Sequence, residues 1–114
     1  MIEFNNEVGL DYLIKNNQTL ILNYYAKWCG PCKSIFSHLV EMKSNFGSTI
    51  RIVNINVDDV SEIALEQNIK AVPTLQYYKN GALYLKESGF RTKDHLQKNV
   101  EALLNITTID IERN

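Results

Sequence analysis

The sequence predicts an α/β fold with a central mixed β-sheet flanked by helices. Apolar runs of strand length alternate with segments of helical spacing along most of the chain, an order typical of β-α-β units with parallel strands. Asn80-Gly81 then joins two strand-like runs, and this dipeptide favours a tight antiparallel hairpin. The predicted order is β-α-β-α-β-α-β-β-α, with about five strands and four helices.

The first half of the chain supplies a central strand and a long helix. Ile2-Glu3-Phe4 is predicted as an edge strand and residues 8–16 as a helix. Leu20 to Tyr25 is apolar apart from one asparagine, which indicates a strand buried on both faces. A long helix is predicted from Gly30-Pro31 up to Gly47. Its apolar positions at helical spacing are Cys32, Ile35, Phe36, Leu39, Val40 and Phe46.

The second half adds a strand, a short helix, the hairpin and a last helix. Residues 50–57 are predicted as the strand and residues 59–67 as the short helix. The hairpin comprises Thr74 to Tyr78 and Ala82 to Lys86, and Thr92 is a candidate N-cap for the last helix. The apolar stripe of that helix is formed by Leu96, Val100, Leu103 and Leu104.

Composition is typical of one globular domain. The chain has 114 residues, 45% of them hydrophobic, and its 12 basic and 13 acidic residues nearly balance. We predict one domain over residues 1–104, with residues 105–114 as a C-terminal extension or tail. The sequence has no basic block that would indicate nucleic acid or an anionic membrane as a partner. It also has no apolar run that approaches the ~18 residues of a membrane span. We therefore expect a cytoplasmic monomer, whose thiols stay reduced.

Both cysteines lie in Trp28-Cys29-Gly30-Pro31-Cys32-Lys33, between the central strand and the long helix. A structural zinc site needs four ligands, but the chain has only these two cysteines, and His38 and His95 lack the close spacing of a histidine pair. A c-type haem attachment needs histidine directly after the second cysteine, where this chain has lysine. Dithiol redox chemistry remains, with a chance pair in a core helix as the alternative.

The position of the pair at a helix N-terminus favours redox chemistry. Unpaired N–H groups and the helix dipole would stabilise a thiolate at Cys29, which makes it the expected nucleophile. Cys32 lies one turn into the helix on its apolar stripe, so we expect it to be more buried, less ionised and able to form a disulfide with Cys29. Pro31 suits the first helical turn because its missing N–H would be unpaired there.

The chain resembles the thioredoxin family over residues 1–104. The resemblance rests on the hexapeptide around the cysteines, on Val72-Pro73-Thr74, on Lys79-Asn80-Gly81 and on Gly89. It implies the thioredoxin fold and a thiol-disulfide oxidoreductase that reduces protein disulfides, with Cys29 as nucleophile and Cys32 as resolving thiol. It also implies no bound cofactor or metal, with reducing equivalents supplied from NADPH by a thioredoxin reductase.

The resemblance further implies a docking surface for disulfide-containing proteins. Pro73 matches the cis-proline of the family, and the Val72 backbone would pair with an extended substrate segment. Phe90 is larger than the small residue usual at its position, which indicates a shifted substrate preference. The implied surface comprises Trp28, Gly30, Pro31, Val72, Pro73, Gly89 and Phe90.

Two buried positions depart from the family pattern. Asn23 stands in place of the buried aspartate that is credited with taking the proton of the resolving cysteine, and an amide cannot titrate. Asn54 stands in place of the lysine that pairs with this aspartate. Because both charges are replaced together, two neutral amides remain that can form a hydrogen bond. We expect Asn23 and Asn54 to modulate the pKa values of the cysteines.

Two other functions stay open at the level of the sequence. A thioredoxin-fold docking subunit with incidental cysteines is favoured slightly by the two asparagines, which remove a catalytic aid. An isomerase or oxidase would keep the chemistry but reverse its direction. Gly30-Pro31 between the cysteines favours reduction, because oxidase and isomerase relatives usually carry a histidine there.

Overall fold

The computed structural model describes residues 1–106 and contains one five-stranded mixed sheet within that range. The strands are β1 (Ile2–Glu3), β2 (Thr19–Tyr25), β3 (Arg51–Asn56), β4 (Thr74–Lys79) and β5 (Ala82–Ser88). Their spatial order is β1-β3-β2-β4-β5, with β1 and β2 parallel to β3, while β4 is antiparallel to both β2 and β5. The predicted α/β fold is therefore confirmed.

Four α-helices flank the sheet within residues 1–106, and a short 3₁₀ helix, Gly47–Thr49, follows the second of them. None of these helices is long and apolar enough to cross a membrane. Thr92 caps the last helix, because its side chain accepts a hydrogen bond from the backbone N–H of His95 at 3.2 Å. The helices are α1 (Leu10–Asn16), α2 (Gly30–Phe46), α3 (Ser61–Glu66) and α4 (Lys93–Leu104).

Strand β2 is covered on both faces of the sheet, which explains its nearly continuous apolar sequence. Ile21 packs in the cluster that includes Leu39 of α2, whereas Leu22 packs in the opposite cluster with Leu10 of α1. Successive side chains of a strand alternate between faces, so Asn23 lies on the same face as Ile21. A polar side chain is thereby placed on the sheet face that α2 covers.

The hairpin between β4 and β5 depends on the backbone of its turn. Asn80 has φ 50° and Gly81 has φ 84°, both in the left-handed region. A tight turn of this twist matches the twist of the flanking strands, and asparagine followed by glycine tolerates it best. The hairpin predicted from Asn80-Gly81 is confirmed.

Some element ends differ from the sequence prediction. Helix α1 begins at Leu10 because Gly9 is extended (φ −60°, ψ 154°) and leaves Val8 outside the helix. The short helix α3 is narrower than residues 59–67, and β5 continues to Ser88. Helix α4 ends at Leu104, while Ile106, beyond the predicted domain boundary, packs half-buried against the core. Residues 107–114 of the predicted extension lie outside the described residues.

The apolar stripe predicted for α2 is wider than its buried face. The buried row runs through Cys32, Ile35, Leu39 and Met42, whereas Phe36 is 47% exposed and Val40 is similarly exposed. The buried row follows the helical repeat that faces the sheet, and the neighbouring row stays on the surface. Phe36 of this second row lines a cavity together with both cysteines.

Glu87 ties β5 to α4 through a partly buried network. Both of its carboxylate oxygens lie 3.0 Å from His95 Nε2, and Asn99 Nδ2 donates to one of them at 2.8 Å. Burial alone would raise the pKa of Glu87, but the hydrogen bonds from His95 and Asn99 and the charge of Arg91 outweigh it and lower the pKa. The folded state therefore favours the ionised carboxylate.

This network predicts an acid-sensitive contribution to stability. Because the folded-state pKa of Glu87 lies below its ordinary value of 4.5, the ionised side chain stabilises the fold above that pH and loses this contribution as the pH falls further. Glu87→Gln should remove this part of the pH dependence and about 1 kcal/mol of unfolding free energy near neutral pH, measured by urea unfolding. Glu66→Gln, which changes the net charge equally on exposed α3, should keep the wild-type acid dependence. An unchanged acid dependence in Glu87→Gln would contradict the assignment.

Candidate active site

The cysteine pair lies where β2 leads into α2, and the two sulfurs form a disulfide. Cys29 is the N-cap of α2, and its Sγ accepts a hydrogen bond from the backbone N–H of Cys32 at 3.2 Å. Pro31 occupies the first helical turn, where its missing N–H costs no hydrogen bond. The first turn of the helix therefore brings both sulfurs together, with the Cα atoms 5.3 Å apart.

The expected difference in burial between the cysteines is wrong for this disulfide state. Cys29 is 4% exposed and Cys32 is 5% exposed. Both pack with Ala26, and Val57 and Val72 lie against them. The loop that carries Val72 covers Cys29, and the sequence around the cysteines gave no sign of it. The two sulfurs differ instead in their position on the helix, since Cys29 Sγ accepts a hydrogen bond from a backbone N–H of the first turn.

A loop before β4 faces the sulfur of Cys29. The Val72–Pro73 peptide bond is cis, as the family resemblance implied, and the carbonyl oxygen of Val72 lies 3.6 Å from Cys29 Sγ. The backbone N–H of Gly89 donates to the carbonyl oxygen of Pro73 at 2.8 Å. Gly89 has φ 93°, which disfavours any residue with a side chain. The loop at Pro73 is thus held by the end of β5.

Trp28 projects from the surface next to the disulfide and is 73% exposed. Its indole N–H donates to a carboxylate oxygen of Asp58 at 3.0 Å. Sequence reasoning missed Asp58, and only its position directly after β3, at the same sheet edge as the end of β2, could have indicated it. Trp28 also lines a cavity of about 140 Å³ together with Lys70 and Val72. The fold therefore places Trp28 beside the loop of Val72.

The remaining predicted surface residues surround the disulfide. Gly30 and Pro31 are exposed, and a Cβ at Gly30 would meet no atom within 4 Å, so the surface directly after Cys29 is uncovered at Gly30. Phe90 follows Gly89, is half-exposed, and has its ring 6.1 Å from that of His38. His38 itself is half-buried on α2.

Asn23 and Asn54 form a buried amide pair behind the disulfide. Asn23 Nδ2 donates to Asn54 Oδ1 at 2.9 Å, across the parallel pair β2 and β3 where the two residues are in register. This hydrogen bond was expected, because Asn23 and Asn54 stand in place of the charged aspartate and lysine of the family pattern. Among residues 1–106, no donor reaches Asn23 Oδ1, although the atom is buried. One acceptor is therefore left open on the sheet face that α2 covers.

A cavity of about 270 Å³ lies between this amide and the surface. Its wall is mostly apolar and includes both cysteines, and two lysines stand at its exposed rim. Sequence reasoning missed Lys27 and Phe36 as part of the site, because they are brought together only when α2 packs on β2. The lining residues are Asn23, Tyr25, Ala26, Lys27, Cys29, Cys32, Lys33 and Phe36.

The described part of the chain contains no cluster of side chains that could bind a metal ion. Within residues 1–106, no three or more His, Cys, Asp or Glu side chains group closely enough to hold a metal ion. What the arrangement can do is exchange disulfides, because a disulfide at a helix N-terminus lies next to the exposed residues Trp28, Gly30 and Pro31.

Comparisons with known proteins agree with this chemistry. The thioredoxin family model matches residues 2–102. The thioredoxin of Mycoplasmoides gallisepticum is 32% identical over 101 residues, covering 86% of this chain and 97% of that protein. The thioredoxin of Bacillus subtilis is 36% identical over 79 residues, covering 69% and 76%. The structure of oxidised mitochondrial thioredoxin 3 from Saccharomyces cerevisiae aligns with a TM-score of 0.81 at 33% identity, covering 90% of this chain and 95% of that one.

The amide pair predicts coupled effects on stability. Asn54→Leu leaves the Nδ2 group of Asn23 buried without its acceptor, and Asn23→Leu leaves Asn54 Oδ1 without its donor, so each should lower the unfolding free energy by about 1–3 kcal/mol. The double variant should lose about 1 kcal/mol less unfolding free energy than the sum of the two single losses, because neither amide remains without its partner. Chemical unfolding of the four proteins measures this coupling, and strictly additive losses would refute the pairing.

Proposed function

Because the chain belongs to the thioredoxin family and is a thiol-disulfide oxidoreductase, we propose that it reduces disulfides of other proteins through Cys29 and Cys32. The observation that carries the proposal is the Cys29–Cys32 disulfide at the N-terminus of α2, with the backbone carbonyl of Val72 beside Cys29 Sγ. The disulfide seen in the structure is then the product state, which must be reduced before the next cycle.

In the first step, the Cys29 thiolate attacks one sulfur of the substrate disulfide. A bond forms between Cys29 Sγ and that sulfur, and the other substrate sulfur leaves as a thiolate that takes up a proton. The N–H of Cys32 supports this role, since a donor 3.2 Å from Cys29 Sγ favours its charged form. Cys29 is therefore the nucleophile in the proposed cycle.

In the second step, Cys32 attacks Cys29 Sγ in the mixed disulfide. The Cys29–Cys32 bond forms, the second substrate sulfur leaves, and two electrons have passed from the dithiol to the substrate. Cys32 must first lose its proton, and Asn23 cannot accept it because an amide does not titrate. We assign the proton to water or to the substrate thiolate released in the first step, and the second leaving thiolate takes a proton from water.

Asn23 has a different role in this proposal. Reduction places a thiol on Cys32, and Cys32 lines the same cavity as the buried amide whose Oδ1 has no donor within residues 1–106. An amide near this thiol carries no charge, so position 23 does not oppose ionisation of Cys32 as a carboxylate there would. Asn54 acts through Asn23, since its hydrogen bond to Nδ2 directs Oδ1 away from β3. Both asparagines thus modulate the thiol pKa values without exchanging protons.

Substrates would dock on the exposed residues that surround the disulfide. An extended segment would pair with the backbone of Val72 beside Pro73, as an added strand pairs with a sheet edge. Trp28, Gly30, Pro31 and Gly89 would form the surrounding contact surface. Phe90 would narrow it on the side of α4, since its ring is half-exposed there.

Recycling requires an electron donor. We propose that NADPH supplies the electrons through a thioredoxin reductase, with no cofactor bound to this chain. Gly30-Pro31 between the cysteines supports net reduction as the direction of the reaction. A cytoplasmic location would suit this role, because a reducing compartment keeps the dithiol form available.

Cysteine substitutions test the proposal with a model protein disulfide and dithiothreitol as the electron source. Wild type should catalyse reduction, and Cys29→Ser and Cys32→Ser should each abolish turnover. Only Cys32→Ser should trap a covalent complex, because it keeps the nucleophile and lacks the resolving thiol. Ser34→Ala, an exposed change in the same turn of α2, should keep wild-type activity.

No turnover by wild type would favour a docking module with incidental cysteines. A trapped complex with Cys29→Ser alone would reverse the two roles.

Asn23→Asp tests the effect of the buried amide. A carboxylate at this position would have no cationic partner, because Asn54 is neutral. Its uncompensated negative charge would raise the pKa values of both Cys29 and Cys32. Thiolate ultraviolet absorbance measured against pH in the reduced protein should therefore shift to higher pH. Asn45→Asp adds the same charge on the exposed end of α2 and should leave the curve in place. Superimposable curves for wild type and Asn23→Asp would rule out the assigned role.

A further inference from the structure

We propose that the cavity between the disulfide and Phe36 is a substrate subsite that selects protein segments with an apolar side chain next to the reactive cysteine and carboxylates beyond it. The inference rests on the proposed disulfide reduction and names its substrate class. Neither Trp28 nor Val72 lines this cavity, and its lining residues Lys27, Lys33 and Phe36 lie outside the docking surface implied by the family resemblance.

The cavity has the size and lining of a site for one side chain. Its volume of about 270 Å³ falls just below the about 300–1,000 Å³ typical of small-molecule sites. Phe36 lies four residues after Cys32, one turn along α2, so its ring forms a wall directly beyond the disulfide. A leucine or phenylalanine that follows the substrate cysteine would bury apolar surface there.

Lys27 and Lys33 give the entrance a positive charge. Both line the cavity and both are exposed. Within residues 1–106, neither ammonium has a hydrogen bond or an ion pair, and the same holds for Lys70 in the cavity beside Trp28 and for Lys15 of α1. Three of these four lysines thus surround the disulfide, although the whole chain has a net charge of −1. An acidic partner complements this face.

Three carboxylates near this side of the molecule keep their negative charge, but none of them lines the cavity. Asp58 accepts from the indole of Trp28, and Glu3 accepts from the hydroxyl of Tyr25 at 2.5 Å. Asp59 follows Asp58 on the turn after β3 and is exposed. None of the eight residues that line the cavity is acidic. Lys27 and Lys33 are therefore the charged residues of the cavity lining, and the carboxylates lie outside it.

A protein segment fits these features better than a small anion. The apolar wall and the charged rim are contiguous, and they begin at the disulfide that must receive a substrate cysteine. A chain passing from Cys29 across the cavity would place one side chain over Phe36 and the next ones near Lys27 and Lys33, which stand at the cavity rim. Selection by charge at exposed positions acts mainly on the rate of encounter and weakens with salt.

Matched disulfide-closed peptides test the subsite. In each, leucine follows the target cysteine, and either a pair of glutamates or a pair of lysines comes next. Wild type should reduce the acidic peptide about fivefold faster at low ionic strength, the factor that one solvent-exposed pair of opposite charges provides. The combined variant Lys27→Glu/Lys33→Glu should reverse the preference, and Lys15→Glu, the matched control on α1, should keep it.

A third peptide with serine in place of leucine tests the apolar wall. Wild type should reduce the leucine peptide faster, and Phe36→Ala should remove most of this advantage while the charge preference persists. Equal rates on acidic and basic peptides in wild type would overturn the proposal and leave disulfide reduction standing. Faster reduction of oxidised glutathione than of any peptide would reassign the cavity to small anionic disulfides and overturn it as well. Failure to reduce every disulfide, including a model protein, would instead overturn the proposed function.

Discussion

The hydrogen bond from the backbone N–H of Cys32 to Cys29 Sγ is the interaction on which the site depends. It exists because α2 begins at Gly30, directly after a strand that is fixed in the middle of the sheet. The strand positions the first cysteine, the helix start supplies the donor, and one helical turn places the second cysteine within bonding distance. Each other element near the site adds to this junction, from the Val72 loop in front of it to the amide pair behind it.

The amide pair shows how a buried site can change its chemistry while keeping its packing. A buried carboxylate needs a cation, and removal of either charge alone leaves the other uncompensated at a cost of about 3–5 kcal/mol. Asn23 and Asn54 avoid that cost because each amide can both donate and accept. The two side chains behind the disulfide are therefore neutral amides, which present a fixed dipole and no titratable group.

Local signals in the sequence predicted the fold and the reactive pair. The apolar run of β2, the turn at Asn80-Gly81 and the helix start after Cys29 each specify structure within a few residues. The grouping of Lys27 with Phe36, and of Trp28 with Asp58, arises only from packing between distant segments. Helical spacing identifies the apolar rows of α2, but it does not tell which row the sheet covers. The burial of Cys29 was missed for the same reason, because the covering loop is far along the chain.

The exposed indole beside the disulfide also determines what an optical experiment on this protein observes. Trp28 is the one tryptophan of the sequence, and its side chain is mostly in contact with solvent in the folded state. Tryptophan emission is therefore a local reporter, sensitive to the oxidation state of the neighbouring sulfurs and to the bond with Asp58. Global unfolding changes the solvation of this indole little but breaks its bond with Asp58, so tryptophan emission follows the site, while the far-ultraviolet circular dichroism of the backbone follows the loss of the sheet.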